Sequence, residues 1–198
     1  MLTMIRLVLI SLVIFSFNLY SQNIDGKPIK VNEKYFTENG NLKNNKDLSV
    51  YAIRKIRFTD NSSYEMVILK NNYWYYYSLF QIEQNNQYKY IGNIAFKSYN
   101  QNIEGLIGNI VYKDNYFTIE HNLMSNVRMY ITFKYNDDKK VYLDKTSMIL
   151  QAAENMNTEN TNELKITPKQ FNGNVVPNKT LYKDVTMDMI AKSLSLDI

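Results

Sequence analysis

The stretch from Tyr116 to Tyr135, YFTIEHNLMSNVRMYITFKY, constrains this chain more than any other. Its apolar residues recur at every second position, which is the period of a strand and not of a helix. On the first arm Phe117, Ile119 and His121 share a face, with Tyr116, Thr118 and Glu120 opposite. On the second arm Val127, Met129, Ile131, Phe133 and Tyr135 form an unbroken apolar row, backed by Arg128, Tyr130, Thr132 and Lys134. With Asn122 to Asn126 as the loop, His121 is expected opposite Val127, Ile119 opposite Met129 and Phe117 opposite Ile131. The same register sets Glu120 beside Arg128 and Thr118 beside Tyr130. A slip of one residue would turn Ile119 to water, so the pattern is expected to select its own pairing.

The rest of the chain is arranged around this hairpin. Val50–Phe58 and Tyr64–Leu69 flank the turn-forming cluster Thr59 to Ser63, and Tyr73–Ile82 and Tyr88–Phe96 flank the polar turn Glu83 to Asn86. Gly105–Tyr112, interrupted by Gly108, leads into the hairpin, and Asn136-Asp137-Asp138 turns the chain into Val141–Leu143. Pairing Tyr135 with Val141 and Phe133 with Leu143 keeps the apolar faces together. About eight strands joined by short turns make a mostly β protein, an antiparallel meander or sandwich. The 17 tyrosines favour this class, because a Tyr ring packs well in a strand while its hydroxyl stays wet.

Residues 1–21 read as a secretory signal peptide: Arg6 is the only charge, Leu7 to Phe17 is almost wholly apolar, and small Ser21 precedes polar Gln22. The apolar run is too short for a bilayer, which takes about 20 residues, so no membrane anchor is expected after cleavage. Without the leader, 22 basic side chains face 19 acidic ones, a net charge of +3. These charges are spread along the chain with no basic block, and nucleic acid is not an expected partner. Cysteine is absent, which excludes thiol nucleophiles, zinc–thiolate sites, disulfides and a lipidated cysteine behind the leader. The expected location is therefore secreted or periplasmic, and not that of a lipoprotein.

The remaining segments divide simply. Residues 22–47 read as a polar N-terminal arm or edge strand, and 48–150 as the β domain. Residues 151–198 read as a linker and a C-terminal helical tail packing on the sheet. Within them Thr167-Pro168-Lys169-Gln170-Phe171 suggests one helical turn, with Thr167 as cap and Pro168 at the first position. Thr186 is a second cap, for a helix whose Met189, Ile190 and Leu194 dock on the sheet.

Tyr116-Phe117-Thr118-Ile119-Glu120-His121, Ile131-Thr132-Phe133-Lys134-Tyr135 and Thr167-Pro168-Lys169-Gln170-Phe171 together resemble a group of uncharacterised small secreted bacterial proteins. Those proteins begin with an FG-GAP-like (integrin-α-like) strand pair around an Asp/Asn/Gly loop. The likeness covers about residues 48–173 and places that loop at Asp60 to Glu65. It implies a β fold and brings no activity with it. The loop lacks Gly and has too few carboxylates for a calcium cage, so a plain hairpin turn is expected and no metal. After His121 the family tends to carry Gly and Trp, where this chain has Asn122-Leu123-Met124-Ser125-Asn126.

Two constellations carry chemistry. Glu120 and His121 are the catalytic candidates of a small hydrolase; His121 is the single histidine, which rules out a His-only metal site. The aromatic run Trp74, Tyr75, Tyr76 and Tyr77 is the binding candidate: alternation puts Tyr75 and Tyr77 on one face and Trp74 and Tyr76 on the other, so one face is expected to be core and the other an aromatic platform for a sugar or a protein partner. Of these the expectation is non-catalytic binding of a protein partner or an extracellular glycan, with no cofactor. A hydrolase and a periplasmic immunity or inhibitor protein are the alternatives, and oligomeric state is not legible.

Overall fold

Hairpin turns set the topology. Asn61, Asn86 and Asp114 each take a positive φ (67°, 55° and 53°) in the turns they occupy, and Lys139 does the same at 60°. Asn and Asp tolerate this left-handed backbone because a short polar side chain can bond locally. In the first of these turns Phe58 N–H donates to Ser62 O at 3.0 Å and Asn61 N–H to Phe58 O at 3.0 Å.

The computed structural model describes residues 28–72, 74–97, 109–124, 127–150, 169–173 and 180–194. Among these, β1 (Ser49–Arg57), β2 (Ser63–Lys70), β3 (Trp74–Ile82) and β4 (Tyr88–Lys97) form one sheet in chain order. A second sheet holds β5 (Asn109–Lys113), β6 (Tyr116–Met124), β7 (Val127–Tyr135), β8 (Val141–Leu150) and β9 (Lys169–Gly173), also in chain order. Every pairing is antiparallel, so each sheet is a meander. The mostly β, antiparallel expectation holds, with nine described strands.

The sheets face each other across one core. Ile56, Met66, Ile68, Tyr77, Leu79, Ile94 and Phe96 come from the first; Phe117, Ile119, Met129, Ile131 and Phe133 come from the second. These are the alternate residues predicted to share a face, and Ile119, Ile131 and Phe133 are wholly buried. Each such side chain contributes about 1.5–3 kcal/mol over leaving it in water. Phe58 and Tyr135 stack at 4.5 Å with rings 2° from parallel, closing the core at one end.

The central hairpin keeps its predicted facing but not its predicted register. His121 pairs with Met129, Ile119 with Ile131 and Phe117 with Phe133, two residues away from the expected partners. Glu120 accordingly lies beside Tyr130 and Thr118 beside Thr132, while Arg128 is paired with Asn122. The expected loop is shorter too, since β6 runs on to Met124 and β7 begins at Val127, with an irregularity between Asn122 and Met124. A shift of two restores every side chain to its own face, so hydrophobic alternation cannot oppose it. The pairings of Tyr135 with Val141 and Phe133 with Leu143 are as expected.

The N-terminal arm is no loose extension. Val31, Phe36 and Leu48 are buried against Val67, Leu69, Tyr76 and Phe80, covering the outer face of the first sheet. Ile29 N–H donates to the Tyr76 hydroxyl at 2.9 Å, and the Tyr90 hydroxyl donates to Val31 O at 3.3 Å. Because this sheet is covered on both sides, six consecutive β2 residues from Tyr64 to Leu69 are buried.

The C-terminal segment fills the core from the other flank. Tyr182 is fully buried, and its hydroxyl donates to Tyr77 O at 2.6 Å. The following helix, α1 (Met187–Ser193), is capped by the Thr186 side chain, which accepts from Met189 N–H. Ile190 and Leu194 dock as expected; Met189 does not, and stays 36% exposed. Two further expectations are corrected. Lys169 to Phe171 is strand and not a helical turn, because pairing with β8 outweighs the local Thr-Pro signal; Thr167 and Pro168 lie outside the described residues. The strand expected at Val141–Leu143 also runs on, as β8, to Leu150. The leader, Tyr73, residues 105–108 and the expected linker at 151–168 lie outside the described residues.

Candidate functional site

Strand geometry decides the fate of the catalytic pair. Neighbouring residues of a strand point to opposite faces, so Glu120 and His121 cannot converge on one substrate. His121 is fully buried between the sheets. Its Nδ1 shares a 3.0 Å hydrogen bond with the Tyr77 hydroxyl, and its ring stacks on Phe96 at 4.7 Å. Tyr75 and Tyr77 stand edge-on to it at 6.0 and 5.9 Å. Burial pushes its pKa down to about 3, against a weaker opposing pull from a hydrogen bond with the Lys97 backbone. At neutral pH this is an uncharged imidazole in an aromatic enclosure. Glu120, on the far side of β6, is half-buried and accepts from Asn109 Nδ2 at 2.8 Å.

The aromatic run is divided by the same alternation. Tyr76 and Tyr77 are fully buried, the first under the N-terminal segment and the second in the core between the sheets. Trp74 and Tyr75 are half-buried; Tyr75 packs edge-on against Tyr51 at 5.3 Å. Both faces of the run are thus packed, Tyr75 and Tyr77 against the core and Trp74 and Tyr76 against the N-terminal cluster, and neither is the open platform expected. Tyr76 and Tyr77 are framework, not ligand contacts.

At the Asp60 loop the carboxylate accepts from Ser62 N–H at 2.8 Å, Ser62 Oγ at 2.9 Å and Tyr135 Oη at 2.9 Å. The Ser62 backbone, chiefly, holds the Asp60 pKa below its ordinary value. The turn is locked to β7 by these bonds. Among the described residues no group of three His, Asp or Glu stands close enough to hold a metal ion.

One surface gathers exposed chemistry that sequence reasoning treated merely as the wet side of the hairpin. On the outer face of the second sheet lies an open depression of about 690 Å³. Tyr116, Thr118, Tyr130, Thr132, Ser147 and Ile149 line it, with the charged residues Lys113, Asp114, Asp144 and Lys145. The Thr118 and Thr132 hydroxyls are bonded to each other at 2.9 Å, and Lys134 Nζ sits 5.6 Å over the Tyr116 ring. A register shift between Thr132 and Phe133 against β8 sets Lys145 opposite Thr132 and leaves Asp144 as the extra residue. The alternation of β6 and β7 was the available signal for Thr118 and Tyr130; the contribution of β8 depends on that irregularity.

No family model, curated protein or solved structure matches the chain.

Proposed function

We propose that the protein is exported under its N-terminal leader and binds an extracellular glycan, without catalysis, on the outer face of its second sheet. One observation carries this reading. Of the four sheet faces, two meet in the core and a third lies under the N-terminal segment, while the fourth carries the open depression. Its chemistry suits a sugar chain. Tyr116 and Tyr130 offer rings for the C–H faces of pyranoses, and Thr118 and Ser147 offer hydroxyls, with Thr132 buried beneath and bonded to Thr118. Two lysines and two aspartates balance the charge around them, which favours a neutral polyhydroxyl ligand over a polyanion. The kinship with FG-GAP-like secreted proteins belongs to the same proposal and assigns no activity.

Affinity electrophoresis of the exported chain through gels containing neutral polysaccharides tests the reading. Retardation is expected, and it should be lost in Tyr130→Ala at unchanged melting temperature. Equal mobility in every polysaccharide, or undiminished retardation of the variant, rejects the site.

A further inference from the structure

A second surface has a different character. β1 and β5 are edge strands of their sheets and approach each other along one side of the molecule. Of the six most exposed large apolar residues among those described, Val50 and Ile53 lie on β1 and Val111 and Tyr112 on β5, at 45–52% exposure. Arg54, Lys55 and Arg57 on β1 and Lys113 on β5 are all exposed, and neither strand carries a carboxylate. The one salt bridge among the described residues lies elsewhere, between Lys140 and Asp138. Glu65 on β2 is buried directly opposite Lys55, whose charge pulls the Glu65 pKa down against the larger upward push of burial.

We propose that β1 takes up an extended, acidic segment of a partner protein as an added strand. Three features point the same way. β1 is nine residues long and among the described residues pairs only with β2, so its other side presents backbone groups to an added strand, save Ile53 O, which accepts from Arg54 Nη1 at 3.0 Å. Val50 and Ile53 supply apolar contacts for alternate side chains of an incoming strand. Arg54 and Arg57, with Lys55 beside them facing Glu65, select carboxylates on it and repel a second copy of this chain, which would bring the same cations to the same edge. A heterologous partner is therefore favoured over self-association. The β1 edge shares no residue with the depression on the second sheet, which Lys113 of neighbouring β5 lines.

The test uses the exported chain and a fluorescein-labelled decapeptide of alternating Glu and Val, read by fluorescence anisotropy. Saturable binding is expected, weakening as salt rises. The double variant Arg54→Glu, Arg57→Glu should bind about tenfold or more weakly while keeping the parent's circular dichroism and melting temperature. Tyr130→Ala should leave this binding unchanged, separating it from the glycan site. A peptide N-methylated at alternate residues should fail to bind; if it binds as well as the parent, strand addition is wrong. Equal competition by a heparin fragment or single-stranded oligonucleotide would make the edge a general polyanion surface and overturn the assignment of a protein strand. Failure of the parent peptide to bind at low salt overturns it outright.

Discussion

The Tyr77 hydroxyl and His121 Nδ1 meet at 3.0 Å across the two sheets, 44 positions apart in the chain. Unfolded, the imidazole takes a proton near pH 6.5; in this enclosure it does so only at about 3. Between those values the unfolded chain binds the extra proton, so stability is fully present above pH 6.5 and falls as the pH drops towards 3. The slope is about 1.4 kcal/mol per pH unit in this window. Urea unfolding at pH 7 and pH 4.5 should differ by about 2–3 kcal/mol from this residue. His121→Phe should remove that difference while retaining the smaller losses below pH 4, where the carboxylates of Asp60 and Asp138, both held below their ordinary pKa, come into play. An unchanged slope in the variant would assign the pH dependence elsewhere.

Tyr182 ties the C-terminal segment to the first sheet through Tyr77 O and lies among Phe117, Phe133 and Met66. Tyr182→Phe keeps the packing and leaves one buried carbonyl short of a donor, at a cost of about 1 kcal/mol. Tyr182→Ala empties the site and should cost about 3–5 kcal/mol. Thermal melts of the two variants separate hydroxyl from ring.

Gly92 has Lys183 lying directly over it. A Cβ at this position would stand 2.7 Å from Lys183 Cα and Cβ, too close for both to remain. Gly92→Ala should therefore displace residues 180–194 and destabilise by about 1–3 kcal/mol. Limited trypsin digestion should show cleavage after Lys183 sooner than in the parent.

Ile131 is wholly buried at the centre of the second sheet, and Ile131→Lys should abolish folding because the ammonium has no partner there. Glu120→Gln is the counterpart on the outer face. The amide oxygen can still accept from Asn109, so stability should change by less than about 1 kcal/mol. A soluble, cooperatively melting Ile131→Lys protein, or a Glu120→Gln loss of several kcal/mol, would reverse the facing of β6 and β7.

Alternating apolar residues were enough to determine strand class, antiparallel order and which side of each hairpin strand turns inward: Phe117, Ile119, Met129 and Ile131 are all where their parity puts them. The same parity already separates Glu120 from His121. Register was not legible, because a period of two is unchanged by a shift of two, and the pairing of His121 with Met129 was set by how far β6 and β7 extend. Lys169 to Phe171 became strand only because β8 offered a partner, overriding local helix signals. Nor could local pattern show that Tyr76 would vanish beneath residues 28–48, since that burial depends on a distant segment folding back over the sheet. Period and turn chemistry are properties of neighbours in sequence; covering a face, filling a core from the C-terminus and leaving one depression open are contacts between segments far apart, and only the assembled sheets decide them.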